Sequence, residues 1–190
     1  MFPRRFLPQL TERLILRRFI DQDLDRFLAY RQDSQVAQFQ SWSMLSYNAA
    51  QSFIYEMHTA KIGIPGEWFQ IAIAHKQSNL LIGDIGIQVY TEDPTTVEIG
   101  FTLNRQEQGK GYAREAISAL IHSLFQLRNI NKIAAITDIR NKPCVHLLRC
   151  LEMRLSYSEE IEFKGEQCIE QTFELDRKDW LLFPIKSDEK

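Results

Sequence analysis

The sequence is short of the features that mark several large classes of protein. Its three cysteines, Cys144, Cys150 and Cys168, are too few and odd in number for a disulfide framework across 190 residues. If Cys144 and Cys150 share a helix, their Cα atoms lie roughly 9 Å apart along its axis, beyond the ~7 Å reach of a disulfide, so free thiols are expected. No apolar run approaches the roughly 18 residues of a membrane span, and Arg4-Arg5-Phe6-Leu7-Pro8 falls far short of a secretory h-region. A cytoplasmic protein without membrane contact is expected. An excess of one charge is missing too: the formal net charge is -2, which offers no clustered basic surface to nucleic acid. His58, His75, His122 and His146 show no ligand spacing with the cysteines, so no metal site is expected. No internal repeat, low-complexity tract or linker interrupts the chain.

What is present is ordinary globular material, 44% hydrophobic and 25% charged, enough for one domain over residues 1–190 with its core at about 10–180. Lys186 to Lys190 reads as a frayed polar tail. Leu10 to Arg17 alternates as an edge-type strand, and Asp21 is placed to cap a helix carrying Leu24, Phe27 and Leu28 inward. A second helical pattern runs from 46 to 62 through Ala50, Phe53, Ile54 and Met57, closed by Gly63, Pro65 and Gly66. Trp68 to Ala74, Leu81 to Val89 and Val97 to Leu103 then predict an antiparallel meander. Ala113, Ala116, Ile117, Leu120, Ile121, Leu124 and Phe125 recur at helical spacing, and Lys132 to Thr137 reads as a buried strand, so a right-handed parallel crossover is expected. Asn141 and Pro143 open a third helix through Leu147, Leu148 and Leu151. Met153 to Leu175 fits a terminal hairpin turned at Lys164-Gly165. The expected class is α/β (α+β), with a mixed, largely antiparallel sheet of about seven strands.

The segment Gln108-Gly109-Lys110-Gly111-Tyr112-Ala113-Arg114-Glu115-Ala116 stands between the third meander strand and the long helix. Two glycines let the backbone approach a ligand, and the helix start offers unpaired N–H groups and a positive dipole end to an anion; the bland alternative is a plain turn. A Walker loop is excluded by spacing, since Lys110 is followed by Gly111 and position 104 is Asn. The dinucleotide fingerprint fails at Arg114, where Gly or Ala is required.

Gln106-Glu107-Gln108-Gly109-Lys110-Gly111 instead matches the pyrophosphate loop Gln/Arg-x-x-Gly-x-Gly/Ala of acyl-CoA N-acyltransferases. With Thr11-Glu12-Arg13-Leu14-Ile15-Leu16-Arg17, Ile82-Gly83-Asp84-Ile85-Gly86 and Glu98-Ile99-Gly100-Phe101, in consistent order from about Leu10 to Trp180, the chain resembles the GNAT superfamily. The branch it is similar to contains the ribosomal-protein N-terminal acetyltransferases. Three places depart from the pattern: Cys144 stands where the family has serine after Asn141, Glu152 replaces a glycine, and Gln167 replaces a tryptophan.

The resemblance implies a GNAT fold and transfer of an acetyl group from acetyl-CoA to a primary amine. It places pantetheine along the backbone of Phe101, Thr102 and Leu103, and the diphosphate on Gln108, Gly109, Lys110, Gly111, Tyr112 and Ala113. Lys110 and Arg114 either add charge to the phosphates or are simply solvated. Asn141 either bonds pantetheine or caps its helix. Glu98 is a candidate general base or a structural carboxylate, and Cys144 a candidate acid or a small packing residue. Phe39, Trp42, Tyr47 and Trp68 fall where the family builds its acceptor cleft, and Glu159, Glu160 and Glu162 are either an attraction for a cationic amine or a solvated strand face.

Neutralising a lysine-like amine of pKa ~10.4 at pH 7 costs roughly 4.6 kcal/mol, against about 1.4 kcal/mol for an α-amine of pKa ~8. A protein or peptide N-terminus is therefore the first expectation for the acceptor, and a polyamine, amino sugar or antibiotic the second. A CoA-binding module without turnover is the rival from another class, motivated by Cys144, Glu152 and Gln167. The expected partners are acetyl-CoA and the amine, with the chain a monomer or a homodimer.

Overall fold

The chain folds around one eight-stranded sheet of order β1-β2-β3-β4-β5-β6-β8-β7. The computed structural model describes residues 2–3, 5–42 and 45–182, and the tail at 186–190 lies outside them. The strands are β1 (Gln9–Leu10), β2 (Leu14–Arg17), β3 (Trp68–His75), β4 (Leu81–Val89), β5 (Thr96–Leu103), β6 (Lys132–Asp138), β7 (Arg154–Phe163) and β8 (Glu166–Asp176). The helices are α1 (Leu24–Arg31), α2 (Ser34–Ala37), α3 (Tyr47–Thr59), α4 (Tyr112–Phe125), α5 (Lys142–Cys150) and α6 (Arg177–Leu182).

The meander from β2 to β5 is antiparallel throughout, β5 and β6 pair in parallel across α4, and the terminal hairpin turns at Lys164 and Gly165. Both turn residues have positive φ, 53° and 80°, as a tight primed turn requires. Its last strand, β8, inserts between β6 and β7.

Two expectations need correction. The run from Leu10 to Arg17 is not one strand, because the Thr11 N–H bonds the Leu14 carbonyl at 3.0 Å and folds Gln9–Leu10 back on Ile15–Leu16, which supplies the eighth strand. Asp21 does not cap the first helix: it opens a 3-10 turn, Asp21–Asp23, that runs into α1, whose N-cap position is Asp23. The Asp23 carboxylate accepts the Ile20 N–H at 2.9 Å and is itself buried against the Arg17 guanidinium, while Asp21 stays exposed.

The core follows the expected apolar periodicities. In α4, Ala116, Ile117, Leu120, Ile121, Leu124 and Phe125 are buried; in α3, Ala50, Ile54 and Met57. β4 is buried along both faces, which explains its near-continuous apolar run from Leu81 to Val89. Gly83 is required by crowding from β5, since a Cβ there would stand 2.2 Å from the Thr102 carbonyl oxygen.

Candidate active site

β5 and β6 pair at Thr96↔Lys132, Val97↔Ile133 and Glu98↔Ala134, and then part. Past Glu98, β5 continues to Leu103 and β6 to Asp138 with no ladder between them. The edge of β5 from Ile99 onward therefore lacks a neighbouring strand on that side, and an extended amide chain can pair with it as an added strand would. Phe101 is half-buried and Thr102 buried along this edge, while the Leu103 carbonyl already accepts the Gln108 side-chain amide at 3.1 Å.

The segment after β5 turns this edge into the glycine loop. The Asn104 side chain accepts the Gln106 N–H at 3.0 Å and caps a short 3-10 turn, Arg105–Glu107. Gln108 acts as a brace: its N–H donates to the Arg105 carbonyl and its amide to Leu103. Gly109 and Gly111 then take φ of 74° and 81°, a region side chains avoid, and Gly111 is the N-cap of α4. Among the described residues, no protein acceptor takes the N–H groups from Gly109 through Arg114. They stand at the positive end of a 14-residue helix, and a Cβ at Gly109 would meet nothing within 4 Å. Donors, dipole and clearance fit a diphosphate. Lys110 reaches Glu107 at 2.9 Å, whereas Arg114 is exposed and has no side-chain partner among the described residues.

Strand register assigns the two candidate proton carriers to opposite faces. Glu98 shares its face with Ala134, so Thr137, three residues further along β6, points the other way, and Cys144 lies beside Thr137. The face carrying Glu98 also carries Thr102 and Asp84, and it is covered by α1, whose Tyr30 hydroxyl and Arg31 guanidinium each donate to Asp84 at 2.7 Å. Between Thr102 and Glu98 on that face lies Gly100, where a Cβ would meet nothing within 4 Å. The sheet therefore has an open slot beside a half-buried carboxylate. Burial raises the Glu98 pKa, the Tyr90 hydroxyl opposes this by donating to the carboxylate at 2.9 Å, and Glu170 adds to the rise. The Cys144 thiol is pushed up by burial, with Thr137 pulling the other way. Asn141 caps α5, accepting the Cys144 N–H at 3.3 Å.

Cross-strand pairing extends Glu98's face to Gln88 and Trp68 on one side, and Trp68 is 41% exposed. Trp42 stacks on the Arg31 guanidinium at 3.6 Å, Phe39 is half-buried, and Tyr47 lies exposed on α3. Beyond β6 the same face carries Asp138, Glu170 and Glu159, whereas Glu160 and Glu162 are exposed along β7. A cleft of about 510 Å³ between the end of α1 and the start of the loop is lined by Ala29, Tyr30, Asp33, Asn104, Arg105 and Gln106.

Sequence reasoning missed Tyr90 as Glu98's partner; the Val89↔Val97 register across the intervening turn was the signal that placed them together. It also missed Tyr30 and Arg31, for which no local pattern exists. Among the described residues no group of three or more His, Cys, Asp or Glu side chains is arranged to hold a metal ion, and no helix is long and apolar enough to cross a membrane.

A mixed sheet whose one parallel pair splays beside an unpaired strand edge and an anion-ready helix start defines an acetyltransferase of GNAT type. The chain belongs to that family: the model of the acetyltransferase (GNAT) domain matches residues 13–154. An N-acetyltransferase from Bacillus licheniformis named p20, itself uncharacterized, is 29% identical over 145 residues, covering 76% of this chain and 80% of the relative. Among solved structures, a GNAT-family acetyltransferase from Bacillus anthracis superimposes with a TM-score of 0.79 at 22% identity, over 90% of this chain and 99% of that one. Spermidine N-acetyltransferase from Vibrio cholerae, in complex with CoA and spermine, gives 0.75 at 17% identity over 88% of this chain and 98% of its own. RimL, a ribosomal L7/L12 alpha-N-protein acetyltransferase in complex with coenzyme A, gives 0.75 at 13% identity over 90% and 98%. At these identities the structural likeness speaks for the fold. The family match makes the protein an N-acetyltransferase, and GNAT enzymes use acetyl-CoA.

Proposed function

We propose that residues 1–190, with their core at about 10–180, act as one domain that acetylates the α-amine of a protein or peptide N-terminus, as the ribosomal-protein branch of the family does. The observation that carries this reading is the juxtaposition, among the described residues, of N–H groups from Gly109 to Arg114 without a protein acceptor, a β5 edge without a strand neighbour and the Glu98 carboxylate at the point where the sheet opens.

Acetyl-CoA supplies the activated acetyl thioester. Gly109 to Ala113 hold its diphosphate through main-chain N–H groups, with Lys110 and Arg114 adding charge, and Gln108 keeps the loop in place. Phe101 and Thr102 pair with the pantetheine amides, and Asn141 holds the start of α5 against the same channel. The acceptor amine enters on the Glu98 face, through the slot at Gly100. As its nitrogen bonds to the thioester carbonyl carbon and the carbon–sulfur bond breaks, Glu98 receives the ammonium proton and the Cys144 thiol supplies a proton to the departing thiolate. An α-amine of pKa ~8, about one tenth neutral at pH 7, asks less of a carboxylate base than a lysine-like amine does. Most of the acceleration then comes from holding the two reactants in register.

Glu170 and Glu159 on the same face favour a second reading, a small polycationic amine, and spermidine N-acetyltransferase shares the fold. Thiol release from acetyl-CoA, measured with a Ser- or Ala-initiated peptide and with spermidine, separates the two. Glu98→Gln is expected to lower turnover at pH 7 at least tenfold with the preferred amine. Full activity of that variant from pH 6 to 9 would remove Glu98 from the chemistry.

A further inference from the structure

Thr11 and Arg13, in the turn that leads into β2, are 104 and 102 positions from Glu115 in the first turn of α4, yet the three form one polar cluster against the glycine loop. Both Glu115 carboxylate oxygens are engaged. The Arg13 N–H donates to Oε1 at 2.7 Å, the Thr11 hydroxyl stands 2.5 Å from the same oxygen, and the Arg13 Nε donates to Oε2 at 2.6 Å. A further guanidinium nitrogen of Arg13 donates to the Lys110 carbonyl at 3.1 Å, and the last lies beside Gly111, where a Cβ would stand 3.3 Å from it. The guanidinium covers the Tyr112 ring at 4.6 Å, and that ring packs edge-on against His75 at 5.1 Å. The β2 end is anchored in turn by Lys76, whose backbone N–H bonds the Arg13 carbonyl and whose ammonium bonds the Thr11 carbonyl, each at 2.9 Å.

Resting on the proposed diphosphate site, we infer that Arg13, fixed by Glu115 and Thr11, is a positioning residue for the diphosphate loop. Two physical consequences support it. A carbonyl and an N–H share each peptide plane, so tying the Lys110 carbonyl to Arg13 fixes the orientation of the plane that carries the Gly111 N–H. A carboxylate in the first turn of α4 suits the helix dipole but repels an incoming diphosphate, and Arg13 offsets that charge where it stands. Lysine cannot reproduce this contact set, since it lacks the planar fork that serves Glu115 and the Lys110 carbonyl together.

The test compares two ligands that differ in the part the loop would hold. Binding of CoA and of pantetheine, which lacks the diphosphate, is measured by calorimetry on the full-length protein and on Arg13→Lys, Arg13→Met and Thr11→Val, with melting temperatures alongside. Arg13→Lys is expected to weaken CoA about tenfold and Arg13→Met more, with pantetheine affinity unchanged. Thr11→Val keeps the proposal testable if Arg13→Met fails to fold, and its expected loss for CoA is smaller, about threefold. CoA affinity unaltered in the folded variants, or lost in equal proportion for CoA and pantetheine, overturns the positioning role. If the wild-type protein binds neither ligand, the diphosphate site itself is wrong.

Discussion

Glu98 is held between two influences of opposite sign. Burial raises its pKa and the Tyr90 hydroxyl lowers it, Glu170 acting with burial. Tyr90 stays a donor because burial and the neighbouring Glu98 push its own pKa upward. A base works only while deprotonated, so the role proposed for Glu98 predicts a rate that falls as pH drops through its raised pKa. Removing the hydroxyl takes away the hydrogen bond that stabilises the charged form. Tyr90→Phe should therefore move the acid limb of the pH–rate profile to higher pH while leaving the plateau rate within about threefold. A thiol-release profile unchanged in position would detach Tyr90 from Glu98's titration. The candidate base itself was legible from the Glu98-Ile99-Gly100-Phe101 pattern, but its tuning was not, because Tyr90, Glu98 and Glu170 come together from a turn and two strands. Cys144 shows the same division: its place after Asn141 is a sequence feature, whereas its distance from water and its nearness to Thr137 depend on how α5 lies on β6.

At the scale of elements, the end of α5 explains one departure from the family pattern. The Met153 N–H bonds the Leu148 carbonyl at 3.1 Å and the Glu152 N–H bonds the Arg149 carbonyl at 3.0 Å, the bond pair of a Schellman closure. That closure puts Glu152 at φ 61°, the left-handed region in which a Cβ is strained. Glu152→Gly should stabilise the protein by about 1 kcal/mol in urea unfolding, with no change in CoA affinity. A loss of stability would mean that the Glu152 side chain makes a compensating contact. Element type was read correctly wherever a long periodic pattern met a stop signal, as in α3, α4 and the meander. The short pieces were missed for a physical reason. α2 is a four-residue turn capped by Asp33, too brief for periodicity to register, and β1 exists because Thr11 reverses the chain.

For the whole molecule, the attachment of α1 to the sheet rests on a buried ion pair. Arg31 and Asp84 are 5% and 2% exposed, and their charges meet at 2.7 Å. Removing one partner leaves the other charged and buried, so Asp84→Ala should cost about 3–5 kcal/mol in urea unfolding. Adding Arg31→Met to Asp84→Ala should cost less than the two single substitutions summed, because the stranded charge goes with it. Simple additivity would show that the pair is not coupled. Neither residue announces this in the chain, since 53 positions separate them.

The sequence by itself determined the element types, the antiparallel meander, the parallel crossover and the position of the glycine loop before α4, because each rests on local chemistry: period, cap, turn and glycine φ. Tertiary structure alone decided which carboxylates are paired, which faces Glu98 and Cys144 occupy, and that Arg13 meets Glu115. Those outcomes depend on strand order and register, which bring together residues that no spacing along the chain connects.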